Sequence, residues 1–442
     1  MAAQDSQAAW TRRGFLGASG TVAAAALLAA CGSPGSSGSS GSSSGPLKFW
    51  NQPWGGPAFN PLDKKITAAY KPASGLPAAT YQAVQWANFL QTYTSAIASN
   101  TGPAVSSGGG TQAFIFAHQG KIAYADHLLE SWKSNGIYDD LFPGLAGTMK
   151  TAKGYAAVPY NLDLRVLFYN DSLLRKAGAT VPTDWQSWLD AAAALKKIGV
   201  YGYGAAGGAG ANNGFQGIAS LMVNNGGGFF DENQQPNCVT PANIEAVDYV
   251  LEMVSKGYVD PRSVAYTQAN LVSQFGAQKC GMGVSPVSLA ASVGGSVQQQ
   301  LKLASPLTSA SGKKGALFFP NNIMMYTNTP SQKDSEAFLT YYYKNMAPLW
   351  TQNTGIGLPP LKSIAATKEF QADANNAKAI NEWLPVCKPW GAPGSGHVFL
   401  NCTVVDGTPI ATTFTQSLLG GKTSAKSALT TLQAAMKSNL PS

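Results

Sequence analysis

Charge is scarce in this sequence: Asp, Glu, Lys and Arg supply 12% of its residues, while 10% are aromatic. That balance is the reverse of the disorder signature and excludes an intrinsically disordered chain. The basic charge is dispersed, 30 Lys and Arg against 22 Asp and Glu for a net +8, and never denser than pairs such as Lys64-Lys65, Lys196-Lys197 and Lys313-Lys314. A nucleic-acid interface needs a concentrated basic stripe, so none is expected. No apolar run reaches the roughly 20 residues that cross a bilayer. A sustained heptad and a strict Gly-X-Y period are missing too, which excludes a coiled coil and a collagen. The three histidines, His118, His127 and His397, stand at no metal-ligand spacing, so no metal is implied.

Chemistry by motif is equally thin. The string Gly202 to Gly207, GYGAAG, mimics a dinucleotide fingerprint, but no helical pattern follows it, and it reads as a flexible glycine loop. Gly420-Gly421-Lys422-Thr423 resembles the end of a phosphate loop, yet Gln416 stands where its first glycine belongs. A nucleophile elbow is absent, because Ser395 lacks the strand-turn-helix setting. No cofactor is therefore expected. Glycosidase chemistry needs only two carboxylates flanking a bond, which no sequence pattern marks, so an exported glycoside hydrolase stands as the rival class.

What is present begins with an address. Arg12-Arg13-Gly14-Phe15-Leu16, an apolar run over 21–30 and then Cys31 give a charged segment, a short apolar segment and a small-residue cleavage site, the layout of an export signal. The arginine pair resembles a twin-arginine signal, and Leu28-Ala29-Ala30-Cys31 resembles a bacterial lipobox. The resemblance implies a signal peptide over 1–30, cleavage before Cys31 and a diacylglycerol on its thiol. Residues 32–45, GSPGSSGSSGSSSG, read as a random-coil tether of roughly 20 Å. The expectation is an extracytoplasmic protein, lipid-anchored to the outer face of a bacterial membrane. Four further cysteines, Cys238, Cys280, Cys387 and Cys402, allow three pairings. Sequence neighbourhood favours Cys238 with Cys280 and Cys387 with Cys402, the alternative being four buried free thiols.

With 442 residues, 45% of them hydrophobic, the chain has material for two or three domains at about 150 residues each. The strand at Leu47-Lys48-Phe49-Trp50 runs into a Gly/Pro-rich loop, and Leu62, Ile66, Ala69 and Tyr70 then recur at helical spacing. Helices are expected over 86–97, 122–132, 187–198, 244–256 and 335–345, with strands at 105–110 and 166–169. Strands alternating with helices predict α/β domains with largely parallel sheets.

The segment 154–170, GYAAVPYNLDLRVLFYN, resembles a signature of the family 1 extracellular solute-binding proteins of ABC importers. Thr183-Asp184-Trp185, Asn225-Gly226-Gly227, Phe229-Phe230-Asp231, Gly257-Tyr258-Val259, 265–268, 275–282 and 418–429 continue the likeness in the family's order. The resemblance implies a periplasmic-binding-protein-like fold of two α/β lobes, 46–160 with 308–345 and 161–307 with 346–442, hinged by crossing segments. It further implies a monomer, not an enzyme, that captures a small carbohydrate or polyol and passes it to an ABC permease. A lipid-anchored sugar sensor is the alternative among binding proteins.

Site residues follow from the same likeness. Trp54 stands in the loop after the first strand, where the family reaches the cleft, and Thr111 and Gln112 follow the glycines Gly108 to Gly110. Asp163 and Arg165 lie two apart and face one way on an extended segment, either as ligand groups or as a hinge salt bridge. Asn213, Phe215 and Gln216 precede the Asn225-Gly226-Gly227 turn, and Asn321 and Asn322 lie on the return into the first lobe. A sugar needs aromatic platforms for its C–H faces and charged or amide groups for its hydroxyls. The family's stacking tryptophan after its "A-M" strand is replaced by Ser285-Pro286-Val287-Ser288, which argues against a long maltodextrin-like ligand, and Trp390 is the candidate to compensate.

Overall fold

The computed structural model describes residues 45–86, 89–327 and 331–441. The export signal, Cys31 and the tether as far as residue 44 lie outside the described residues. Among those described, no helix is long and apolar enough to cross a membrane.

One mixed sheet organises the chain. Its main path runs β2 (Ala79–Ala83), β1 (Leu47–Asn51), β3 (Val105–Gly108), β10 (Ala316–Tyr326), β7 (Val158–Asn170) and β8 (Met282–Pro286). β4 (Ile122–Ala123) and β11 (Cys387–Lys388) join β10, β9 (Leu301–Leu303) joins β7, and β5 (Lys150–Thr151) pairs with β6 (Gly154–Tyr155) as a separate ribbon. β1 is parallel to β2 and β3, but β10 runs antiparallel to β3, β4 and β7, and β7 antiparallel to β8 and β9. The largely parallel sheet expected from alternation is thus corrected: local patterning reports that strands exist and leaves their direction to the connections.

β7 and β10 are the long members, and every residue of β10 is buried. Strands covered on both faces read as continuous apolar runs. β7 changes partner along its length, pairing β10 up to Leu164 and β8 from Arg165 onward. β10 pairs β7 from Phe318 to Ile323 across a register shift between Asn321 and Asn322, just after Pro320, and pairs β3 from Asn322 to Met325. Pro removes a ladder donor and is tolerated in a sheet beside such a bulge.

The helices obey local chemistry. Trp185–Lys197 starts at Asp184, whose carboxylate accepts from the Ser187 amide at 2.7 Å while Ser187 Oγ accepts from the Asp184 amide at 3.0 Å, a reciprocal cap. Pro241–Ser255 starts at Thr240 with Pro in its first turn. The helix expected over 122–132 instead splits: Ile122 and Ala123 pair with β10, and the helix runs Asp126–Asn135.

Two further expectations are corrected. Gly202 to Gly207 is buried and close-packed: a Cβ on Gly202 would lie 2.2 Å from the Ala192 Cβ, and one on Gly204 2.7 Å from the Cys280 sulfur. These glycines let the backbone pack directly against Ala192 and Cys280, where a side chain would not fit. Cys238, Cys280, Cys387 and Cys402 are all buried free thiols, so both expected disulfides are absent. Each sits in its own packing environment: Cys238 lies against Met436 Sδ at 3.4 Å, Cys280 donates to the Met282 carbonyl at 3.2 Å, Cys387 lies on β11 and Cys402 in the turn Leu400–Val404. Burial pushes the thiols of Cys238 and Cys280 up to about 12, and those of Cys387 and Cys402 higher. They behave as small apolar side chains.

Candidate ligand-binding site

The partner change on β7 creates the centre of the site. Arg165, 4% exposed, projects where β7 leaves β10. Its Nε and one terminal nitrogen donate to Gln216 Oε1 at 2.9 and 2.6 Å, and the other donates to Asp163 Oδ1 at 2.6 Å. Asp163 and Arg165 therefore share a face, as alternation along a strand requires. The guanidinium lies 4.5 Å above the Phe319 ring of β10. Asp163 keeps 32% of its side chain exposed, so the pair is anchored inside and open outside.

Trp390, 1% exposed, extends this surface by packing on Phe319, Phe215 and Phe229 with ring centroids 5.4, 5.8 and 5.5 Å away. Those contacts hold the tryptophan in the place of the absent Cys387–Cys402 bridge. Phe215 itself is 2% exposed between Trp390, Phe229 and Phe414, which makes it the support of Trp390.

Thr111 Oγ1 donates to Asp406 Oδ2 at 3.3 Å. Thr111 sits at the start of the helix Gln112–His118, and Asp406 precedes the helix Pro409–Leu419, which packs on Asn212–Asn224. Burial raises the Asp406 carboxyl above its ordinary value; Thr111, Trp390 and the Arg165 charge pull it down, and the Asp163 charge raises it further. Asp406 was not singled out from the sequence, for no local pattern marks a residue whose importance comes from the approach of Thr111.

A second group surrounds Trp54. Its Nε1 donates to Asn51 Oδ1 and to Ser107 Oγ, both at 3.0 Å, and its ring meets Trp86 edge-on at 4.8 Å. Trp86, 41% exposed, was read from the sequence only as part of a helix, which starts later, at Phe89. Asn161 and Asn321 face each other on β7 and β10, Asn321 donating to Asn161 Oδ1 at 2.9 Å. Asn322 is fully buried and donates to the Gly109 carbonyl at 3.2 Å, and Asn213 donates to Ser285 Oγ at 3.3 Å.

The groups facing this region are rich in unused hydrogen-bonding capacity. Gln52 Nε2, both amide atoms of Gln112, Asn161 Nδ2, Asn213 Oδ1, Asn322 Oδ1 and Trp390 Nε1 are buried without a partner at hydrogen-bonding geometry. Buried polar atoms are nearly always paired, which makes these the candidate groups to meet water or a ligand. The open grooves elsewhere include one of about 570 Å³ between Phe114 and Phe399 and one of about 830 Å³ between Leu189 and Ile244. Neither is lined by Asp163, Arg165 or Trp54, and convergent chemistry outweighs volume in locating the site.

The sequence profile of the bacterial extracellular solute-binding proteins matches residues 56–347. Among solved structures, a sugar transporter protein from Arthrobacter chlorophenolicus A6 with bound laminaribiose is 46% identical, with a TM-score of 0.82, covering 90% of this chain and 100% of its own. An ABC transporter solute-binding protein from Thermotoga lettingae TMO bound with α-D-tagatose is 17% identical, with a TM-score of 0.71, covering 90% of this chain and 100% of its own. The sugar-binding protein MalE from Xanthomonas citri is 18% identical, with a TM-score of 0.73, covering 90% of this chain and 97% of its own. The last two share the fold. No curated protein matches the sequence.

Proposed function

The chain belongs to the bacterial extracellular solute-binding proteins, with their two-lobed α/β fold, and from that premise we propose that it captures a small carbohydrate of about disaccharide size and releases it unchanged to an ABC permease. The ligand lies between two lobes that move about β7 and β10. The observation that carries this reading is the convergence of Asp163, Arg165 and Gln216 with Trp390, Thr111 and Asp406 beside a concentration of buried, unpartnered amides.

Each group has a role suited to a sugar. Asp163, a third exposed, accepts from hydroxyls while Arg165 donates, and hydrogen bonds to charged groups are the stronger kind. Trp54 with Trp86 covers C–H faces, and Trp390, buried on Phe215, Phe229 and Phe319, backs the surface that carries Arg165. Gln112, Asn161, Asn213 and Asn322 supply the donors and acceptors that a ring of hydroxyls consumes. Disaccharide size is supported by the laminaribiose bound to the 46% identical protein. Export by the twin-arginine signal and a lipid on Cys31 would keep the body beside its permease, and Cys31→Ala would then release it from the membrane fraction.

A thermal-shift panel of β- and α-linked disaccharides, monosaccharides and polyols tests the reading. A ligand at 100 times its dissociation constant stabilises by about 2.7 kcal/mol. Mass spectrometry of the recovered ligand separates capture from catalysis: intact sugar supports binding, and cleaved glycan would establish a hydrolase.

A further inference from the structure

The Trp54 indole is the outer end of a hydrogen-bond chain that runs back to one carboxyl group in the core. Asp63, on the helix Phe59–Ala68, is fully buried. Its Oδ2 accepts from Asn51 Nδ2 at 2.6 Å and its Oδ1 from the Tyr342 hydroxyl at 2.6 Å. The Tyr342 and Tyr160 hydroxyls meet at 3.0 Å, and Asn51 Nδ2 also reaches the Tyr160 oxygen at 3.2 Å. Asn51 is fully buried as well, and its Oδ1 accepts from Trp54 Nε1.

With Asp63 ionised, the donors and acceptors between it and Asn51 close one way, and the Trp54 indole N–H is shared between Asn51 Oδ1 and Ser107 Oγ, both at 3.0 Å. An ionised carboxylate can only accept. The amide beside it must therefore turn its NH₂ inward, which leaves the Asn51 carbonyl facing the indole N–H. A protonated Asp63 can donate as well as accept, so the Asn51 amide is no longer held to one orientation, and when its oxygen turns to the carboxyl its NH₂ meets the indole, which then keeps only Ser107 Oγ as acceptor. We infer that Asp63 is a positioning residue: its carboxylate orients the Asn51 amide, and the amide holds the Trp54 indole at the mouth of the cleft. The effect on sugar affinity rests on the function proposed above; the positioning of Trp54 does not.

The surroundings of Asp63 make it the group that titrates. Facing it are Tyr342 from the helix Gln332–Asn345, Asn51 from β1, Tyr81 from β2 and Tyr160 from β7, with Tyr93 beyond Tyr81. The short helix Pro348–Thr351, which packs on the Asp63 helix, carries no titratable residue, and Lys64 and Lys65 on its own helix are exposed. Burial raises the carboxyl to about 6, against the pull of hydrogen bonds from Tyr342, Asn51 and Tyr81. Burial also raises all four phenols, which stay neutral across that range.

The test follows the indole N–H signals of the intact, sugar-free protein by ¹H–¹⁵N correlation spectra, with Trp54 assigned through Trp54→Phe. The Trp54 signal is expected to move with a midpoint near pH 6 and to be stationary in Asp63→Asn. Tyr342→Phe removes a donor that favours the carboxylate and should raise the midpoint by roughly one unit. A Trp54 signal that is stationary between about pH 5 and about pH 8, or that titrates unaltered in Asp63→Asn, would overturn the inference. If Asp63→Asn does not fold, an unshifted midpoint in Tyr342→Phe overturns it. Calorimetry with laminaribiose should find binding about fivefold tighter at the higher pH, the worth of about one hydrogen bond. An Asp63-dependent signal without laminaribiose binding at either pH would sink the disaccharide reading and leave the positioning standing. Binding of constant affinity alongside a stationary signal would do the reverse.

Discussion

Trp54 and Arg165 are anchored in opposite ways within one cleft. Trp54 is held by Ser107 and by the Asn51 amide, behind which stand phenols and a single buried carboxyl. Arg165 is gripped by a fork of charge-assisted bonds to Gln216 and Asp163 over an aromatic ring. Guanidinium keeps its charge at every accessible pH, and its planar fork tolerates no substitute. Arg165 itself therefore adds no sensitivity to pH, whereas Asp63 brings it to the Trp54 side, and the larger energetic stake lies on the Arg165 side.

Removing the fork should give the largest effect. Arg165→Ala leaves Asp163 without its cation and Gln216 without a partner, and truncating one member of a buried pair costs about 3 kcal/mol or more. Because Asp163 is a third exposed, the lower end of that range is expected in urea unfolding, together with about a hundredfold loss of laminaribiose affinity. Arg165→Lys should recover part of the stability and little of the affinity. Equal behaviour of Lys and Arg would show that charge alone matters there.

The Trp54 side should reveal itself through pH. The folded value of Asp63, about 6, lies above its ordinary 3.8, so the native state keeps a proton that the unfolded chain has released. Stability contributed by the neutral form is intact below about pH 4 and is lost as pH rises through about 6, at a cost of roughly 3 kcal/mol by neutral pH. Asp63→Asn is neutral throughout and should remove that slope, seen as a stability difference from wild type that grows between about pH 4 and about pH 7. A constant difference would mean that Asp63 is not the titrating group. The protein would then give up stability at neutral pH to hold Trp54, a trade expected at functional positions.

Smaller effects are expected from single ligand groups. Trp54→Ala and Asp163→Asn should each weaken binding about tenfold, or 1.4 kcal/mol, and leave the fold intact. Unfolding of Asp163→Asn would instead identify the ion pair as a hinge element. Smallest of all is the response to reductant: with four buried free thiols, the melting temperature should not change, and Cys238, Cys280, Cys387 and Cys402 should react with a thiol reagent only on unfolding. A drop on reduction would restore the disulfides.

What could be read in the sequence was local. The helix expected over 187–198 from the spacing of its apolar residues is there as Trp185–Lys197, and the shared face of Asp163 and Arg165 follows from strand alternation. What was missed depends on distant chain. Asp406 matters because Thr111 lies across from it, 295 residues away in sequence, and Asp63 because Tyr342, 279 residues away, closes its network. Cysteine spacing carried no information on distance, and a glycine-rich string looks the same whether it is loose or, as at Gly202, pressed against Ala192.

A single sugar touching both anchors is the central claim, and calorimetric titration of laminaribiose into wild type, Arg165→Ala and Trp54→Ala tests it most directly. The predicted result is one intact sugar bound per chain, with affinity reduced about a hundredfold in the first variant and about tenfold in the second. Wild-type affinity in both variants would contradict the claim and put the sugar elsewhere.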